Sequence, residues 1–194
     1  MSDGPQRRGA HVDEAVLAAT LQLLATAGYD FTVEDVAAHA RVHKTTVYRR
    51  WETKPLLVAA AVARLAEQTV VAGDTGDPLA DLEDLAVQVA AALDGPAGRN
   101  PLRATLAAAA SDPELADVAR RFFHSRYETA VPFILRAQKT GLIAPEWDPE
   151  TIWQAIVNPL HIDAICGIDV TPQRARTLLA LVLDGARPRV RPLS

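Results

Sequence analysis

The chain is poor in the residues from which covalent or metal scaffolds are built. It holds one cysteine, Cys166, in 194 residues, which excludes a disulfide framework and a cysteine-built zinc site. A lone thiol of this kind is expected as a small buried apolar group. No apolar run reaches the roughly 20 residues that cross a bilayer, and the opening MSDGPQRRGA lacks the apolar core of a secretory leader. The expectation is a cytoplasmic chain with no membrane partner. Strand-like alternation and internal repeats are also missing, so helical periodicity is the pattern that remains and the expected fold class is all-α. The sequence contains no HExxH, Walker loop or GxSxG, and its carboxylates and histidines do not gather at catalytic spacing. No catalytic residue, metal or cofactor is therefore assigned, and the chain is read as not an enzyme. His161 and Asp163, two apart on one helix, cannot form a metal pair on one face.

What is present is a basic segment in an otherwise acidic chain. The formal net charge is −4, which taken alone argues against nucleic acid, but distribution matters more than the sum. Between Arg41 and Lys54 stand Arg41, Lys44, Arg49, Arg50 and Lys54 against the single acid Glu52. From Pro55 onward thirteen basic side chains stand against seventeen acidic ones.

Residues 1–10, with Gly4, Pro5, Gly9 and the pair Arg7 and Arg8, read as a flexible arm, either lying along a phosphate backbone or simply solvated. The spacing of Val12, Val16, Ala19, Leu23 and Ala27 predicts a first helix over 12–27. Gly28 suits a left-handed C-terminus, and Tyr29 and Phe31 are expected as apolar plugs at the exit. Thr32 with Asp35 forms a short-carboxylate capping box for a second helix over 33–40. Arg41-Val42-His43 is the turn, with Val42 plugging the angle between two helices. The third helix, 44–51, turns Val47 and Trp51 inward. Lys44, Thr45, Thr46, Tyr48, Arg49 and Arg50 are left outward. Such a face suits a DNA groove, its cations neutralising phosphates and its threonines touching base edges; a solvated basic face is the alternative.

The order of residues narrows that choice. V-L-x-A-x-x-x-L-L-x-x-x-G-Y-D from Val16, then T-V-x-D-V-A-x-x-A, V-x-K-x-T-V-Y-R-R-W and T-K-x-x-L to Leu57 resemble the DNA-binding domain of the TetR/AcrR family of transcriptional regulators. The pattern covers about a fifth of the chain. The resemblance implies an all-helical homodimer with a three-helix helix-turn-helix head over 1–54 and a helical effector-binding and dimerisation body over 55–194. It implies that Tyr48 and Lys54 anchor phosphates, that Thr32 makes a backbone contact, and that Lys44, Thr45, Thr46 and Arg49 face the groove. Two positions depart from the family pattern. Arg41 stands where glycine is common, which costs energy if φ is positive there; the expectation is either a slightly opened turn or an added phosphate contact. His43 stands where serine caps the recognition helix, serving as a weaker cap or touching DNA itself.

Beyond the head, a helix from Lys54 to about Val71 links to helices over 79–93, from Pro101 to Ala110, from Asp112 to about Lys139 with a kink or bend expected at Pro132, from Pro149 to about Cys166, and from Thr171 to Ala186. Trp147 is expected as a packing plug. Phe123, Tyr127, Trp153, Asn158 and His161 combine aromatic walls with polar tips, as ligand pockets do, and suggest a small apolar or aromatic ligand; core packing is the alternative for each. Ile156, Leu160, Leu178, Leu181 and Val182 on the last two helices are expected at a twofold four-helix interface. The basic tail from Arg187 to Pro192 reads as solvated. The expected function is a homodimeric repressor released from a palindromic double-stranded operator by a small-molecule ligand. The alternative is an effector-free dimeric DNA-binding protein whose body only dimerises or recruits a protein partner.

Overall fold

A computed structural model of the chain describes residues 5–71 and 73–187. Among these residues every regular element is an α-helix: α1 (Pro5–Ala27), α2 (Val33–His39), α3 (Lys44–Tyr48), α4 (Lys54–Thr69), α5 (Pro78–Leu93), α6 (Pro96–Ala109), α7 (Pro113–Lys139), α8 (Pro149–Cys166) and α9 (Pro172–Ala186). The last five each open on proline and α4 carries Pro55 at its second position, where the fixed φ fits and the missing N–H would have had no intrahelical partner. None of the described helices is long and apolar enough to cross a membrane.

Three boundaries differ from expectation, and one of them is the third helix, expected over 44–51 and observed as Lys44–Tyr48. The expected N-terminal arm is helical from Pro5 onward, while residues 1–4 lie outside the described part. Helix α6 starts at Pro96 rather than Pro101, because an internal proline this near the N-terminus removes one hydrogen bond and leaves the rest of the helix intact. Pro132 likewise lies inside an unbroken α7. The tail beyond Arg187 lies outside the described residues.

The chain packs as two compact units, one of residues 1–66 and 96–122, the other of residues 67–95 and 123–194. They are not consecutive, so the packing division differs from the expected boundary at residue 54. In the first unit α1 packs on α2 and α6, and α2 on α3. Val16, Leu24, Val36, Val47, Leu57 and Val58 are fully buried, and Leu115 of α7 joins their cluster. Ala104, Ala108 and Ala109 pack against the same cluster. Small residues let α6 approach closely, and α6 with the start of α7 covers apolar surface that three short helices alone would leave in water.

In the second unit α5, α8 and α9 pack on one another. Helix α8 buries Ile152, Trp153, Ile156, Val157, Leu160 and Ala164, as its all-round apolar pattern requires. Asp81 of α5 is buried and fully employed. It accepts from the Thr75 amide at 2.9 Å and hydroxyl at 2.6 Å, and pairs with Arg136 at 2.8 Å. Arg136 also reaches Asp74 at 3.0 Å. The Thr75 hydrogen bonds first, then Arg136, hold the Asp81 carboxyl below the usual carboxylate range. This network fastens the loop before α5 to α7.

Two expectations are corrected here. Cys166 is exposed, because it ends α8 beside Gly167, which turns the chain away at φ 78. Trp147 is 41% exposed and plugs nothing. The buried places in its turn belong to Ile143 and Ala144, and what Trp147 contributes is its carbonyl, which accepts from Gln138 Nε2 at 2.8 Å.

Candidate nucleic-acid interface

The reading unit is assembled by caps at each end of a short connection. At the start of α2 the Asp35 amide donates to Thr32 Oγ1 at 3.1 Å, and Asp35 Oδ2 accepts from the Thr32 amide at 2.7 Å. The capping box is complete, and its hydrogen bonds hold the Asp35 carboxyl below the usual range. Helix α2 ends at Ala40, and Arg41 then takes φ 55. Arg41 is the one non-glycine residue with positive φ among the described residues, so the turn keeps a left-handed geometry despite the side chain, at a cost that glycine would avoid. The Val42 amide donates to Ala37 O at 2.9 Å, and the half-buried Val42 packs against the core of the unit.

His43 is the N-cap of α3. Its Nδ1 lies 3.5 Å from the Thr45 amide and 3.0 Å from the Thr45 hydroxyl. A nitrogen that accepts from an N–H must be unprotonated, so the cap requires the neutral ring with its proton on Nε2. Helix α3 is five residues long and buries Val47 alone. Trp51, beyond its end, is half-buried against the same core. Thr32, Arg41, His43, Lys44, Thr45, Tyr48 and Arg49 are exposed, Tyr48 at 42%, whereas Thr46 is half-buried. Lys44 stands 3.6 Å from Glu34, both exposed, a pairing too weak in water to withhold the lysine from an anionic partner.

Two cations are placed otherwise. Arg50 is half-buried and ion-paired with Asp13 of α1, so it fastens α1 to the end of α3. Lys54 is also half-buried, donating to the Tyr29 carbonyl at 2.6 Å. Its ammonium lies 3.7 Å from the Tyr29 ring centroid and 4.4 Å from that of Phe31. One residue earlier, the Thr53 hydroxyl donates to Glu114 Oε1 at 2.6 Å. Sequence reading missed these partners. Asp13 and Glu114 are remote in sequence and carry no local signal; Tyr29 and Phe31 were legible only as apolar plugs.

In the second unit four of the five residues suggested for a ligand meet. The Phe123 ring stacks on Tyr127 at 6.2 Å and meets His161 edge-on at 5.3 Å. Tyr127 donates its hydroxyl proton to Asn158 Oδ1 at 2.7 Å. Burial pulls the His161 imidazole down to about 4, against a small opposing effect of the Val157 carbonyl, and its buried Nδ1 makes no hydrogen bond of normal geometry. Trp153 is 3% exposed and belongs to the core. Of the residues suggested for the dimer interface, Ile156, Leu160 and Leu178 are buried within the chain itself, so their side chains have no surface left for a partner. Leu181 is 68% exposed and Val182 half-buried. The outward apolar set on α8 is Ala155, Pro159 and Ile162, along an open groove that also includes Thr151 and Asn158. Residues of one helix alternate between inner and outer faces, and periodicity alone did not separate them on a helix apolar nearly all round.

Comparison with known proteins agrees with this geometry. Residues 16–61 match the family described as bacterial regulatory proteins, tetR family. Residues 72–182 match the tetracyclin repressor-like C-terminal domain. The HTH-type transcriptional regulator AqdR of Rhodococcus erythropolis is 32% identical over 183 residues, covering 93% of this chain and 87% of that protein. The DNA-binding transcriptional repressor TetR of Mycobacteroides abscessus is 48% identical over 56 residues, covering 28% of this chain and 30% of that protein. A crystal structure of a TetR family transcription regulator superposes with a TM-score of 0.74 at 29% identity, covering 91% of this chain and 99% of that one.

Proposed function

The chain belongs to the TetR family of DNA-binding transcriptional regulators, not to a family of enzymes, and from that premise we propose that it is a homodimeric repressor released from a palindromic operator by a small apolar or aromatic ligand. The observation that carries the reading is the solvent-facing side of α3. Lys44, Thr45, Tyr48 and Arg49 are exposed on a helix fixed by the His43 cap and the buried Val47. On this reading Tyr48, Thr32 and Arg41 meet phosphates, and Lys44, Thr45, Thr46 and Arg49 meet base edges. A twofold pair built on Leu181, Val182, Ile162 and Pro159 would present two such helices to successive major grooves, about 34 Å apart.

Selection of bound sequences from a random DNA pool tests the reading. An inverted repeat with half-sites about one helical turn apart is expected, with the protein sedimenting as a dimer. Recovery of an asymmetric site by a monomer would overturn the homodimer.

The effector-free alternative has one observation in its favour. Phe123, Tyr127 and His161 already fill space against one another, and Tyr127 and Asn158 satisfy each other. Thermal shift against a panel of small aromatic and acyl compounds separates the two readings. A compound that raises the melting temperature, releases operator DNA and loses its effect in Phe123→Ala supports the ligand. A panel with no such compound, alongside intact operator binding, supports the alternative.

A further inference from the structure

Threonines inside the helices of this protein share one habit. Thr20, Thr26, Thr105, Thr129 and Thr177 each donate the hydroxyl proton to the carbonyl four residues back, at 2.8 to 3.2 Å, the ordinary helical use of a β-hydroxyl. Thr45 departs from it. As the second residue of α3 it has no helical carbonyl behind it, since the residue four back is Arg41, in the turn at φ 55. Its hydroxyl lies instead 3.0 Å from His43 Nδ1, and its own amide lies 3.5 Å from the same nitrogen.

Either the hydroxyl or the ring nitrogen supplies the proton between them, and the amide decides which. The Thr45 N–H is one of the donors that no intrahelical carbonyl satisfies at a helix start, and it is directed at Nδ1. A nitrogen that accepts there carries no proton of its own. The hydroxyl is therefore the donor, and what the exposed Thr45 offers outward is the lone pairs of Oγ1. An unconstrained threonine both donates and accepts, and tolerates either kind of base atom. The major groove presents adenine N6 and cytosine N4 as donors, with guanine N7 and O6, adenine N7 and thymine O4 as acceptors. A hydroxyl whose proton is already engaged meets only the first kind.

We propose that His43 is a specificity-determining positioning residue: it fixes Thr45 Oγ1 as a hydrogen-bond acceptor, so that α3 selects a base amino group, adenine N6 or cytosine N4, at the position Thr45 faces. The inference rests on the reading that α3 enters the major groove of an operator, and adds to it the direction of one hydrogen bond.

The test uses the full-length protein, the operator recovered by selection, and the base pair whose preference is relaxed in Thr45→Val, which keeps the side-chain shape and removes the hydroxyl. At that pair, operator analogues delete one group at a time: the amino group, with unsubstituted purine for adenine or pyrimidinone for cytosine, or an acceptor atom, with deazapurines for N7. The parent is expected to bind about tenfold more weakly when the amino group is deleted and to be indifferent to loss of the acceptor. Thr45→Val should be indifferent to both. His43→Ala frees the hydroxyl to turn and donate, and should lose most of the amino-group effect. His43→Asn places an accepting Oδ1 where Nδ1 stood and should restore it. Loss of a helix cap alone lowers affinity for every sequence alike and leaves these ratios at the parent value, so an unchanged ratio in His43→Ala overturns the inference. So does a parent that depends on the acceptor atom, a Thr45→Val protein that relaxes no position, or a His43→Asn protein that restores nothing. Should Thr45→Val fail to fold, Thr45→Ala removes the same hydroxyl. A parent that binds no sequence overturns the functional reading itself, so the two failures are told apart.

Discussion

The outward face of α3 and the place where α7 meets α8 treat polar side chains in opposite ways. On α3 the polar groups remain in water and the helix is held by one fully buried valine, one capping histidine and the backbone of the turn. Little desolvation is paid, so Lys44, Thr45 and Arg49 stay exposed to solvent. Between α7 and α8 burial reaches the His161 ring, while Asn158 stays exposed. The half-buried Tyr127 donates to the exposed Asn158, and burial pulls the His161 imidazole down. The outward face of α3 is thus held by minimal anchoring, and the aromatic cluster of Phe123, Tyr127 and His161 by ring packing.

Five measurements sharpen or break this comparison. The largest effect is expected from Val47→Asp, which places a carboxylate without a partner in the core of the first unit. A loss of about 3–5 kcal/mol in urea unfolding is expected, together with loss of operator binding; a small loss would mean that α3 is anchored by more than its one valine.

Next is the acid sensitivity of the aromatic cluster. His161 titrates near 4 in the fold against about 6.5 when unfolded. Between those values the unfolded chain binds the extra proton, so stability is full above pH 6.5 and declines as the pH falls toward 4, by up to about 3 kcal/mol. Replacement by leucine should flatten that part of the stability profile. An unchanged profile would place the acid sensitivity elsewhere, with the carboxylates.

Thr32→Ala removes the capping box of α2 and should cost about 1 kcal/mol in thermal unfolding, since the alternative donor satisfaction is water. Arg41→Gly relieves the positive φ of the turn and should raise stability by about 0.5–1 kcal/mol. If operator affinity falls in the same variant, the side chain meets DNA and its strain serves binding.

Leu181→Asp should change protomer stability least, within about 0.5 kcal/mol, because the side chain is 68% exposed. Sedimentation is nonetheless expected to show the dimer dissociated. A dimer that survives would move the interface off the outer face of α9.

Much of the head was legible because its determinants are local. The capping box spans four residues, the turn three, and the inward pair of Val47 and Trp51 one helical turn, so chain order alone places them. Helix periodicity similarly gave α5 and α9 to within a residue or two. Arg41 and His43 were marked as departures from the family pattern, and they are the residue with positive φ and the N-cap of α3.

What only the tertiary structure decided is which side chains are already spent. The sequence by itself determined that the chain is helical and gathers its basic charge in one short segment, since these follow from composition and short-range spacing. That Arg50 pairs with Asp13, that α6 completes the core of the first unit, and that Ile156, Leu160 and Leu178 are consumed inside the protomer all depend on contacts between residues far apart in the chain. A charge or an apolar side chain looks the same in sequence whether its partner is solvent, DNA, a second protomer or its own core. The packing assigns the partner, because each buried contact removes that side chain from every other use.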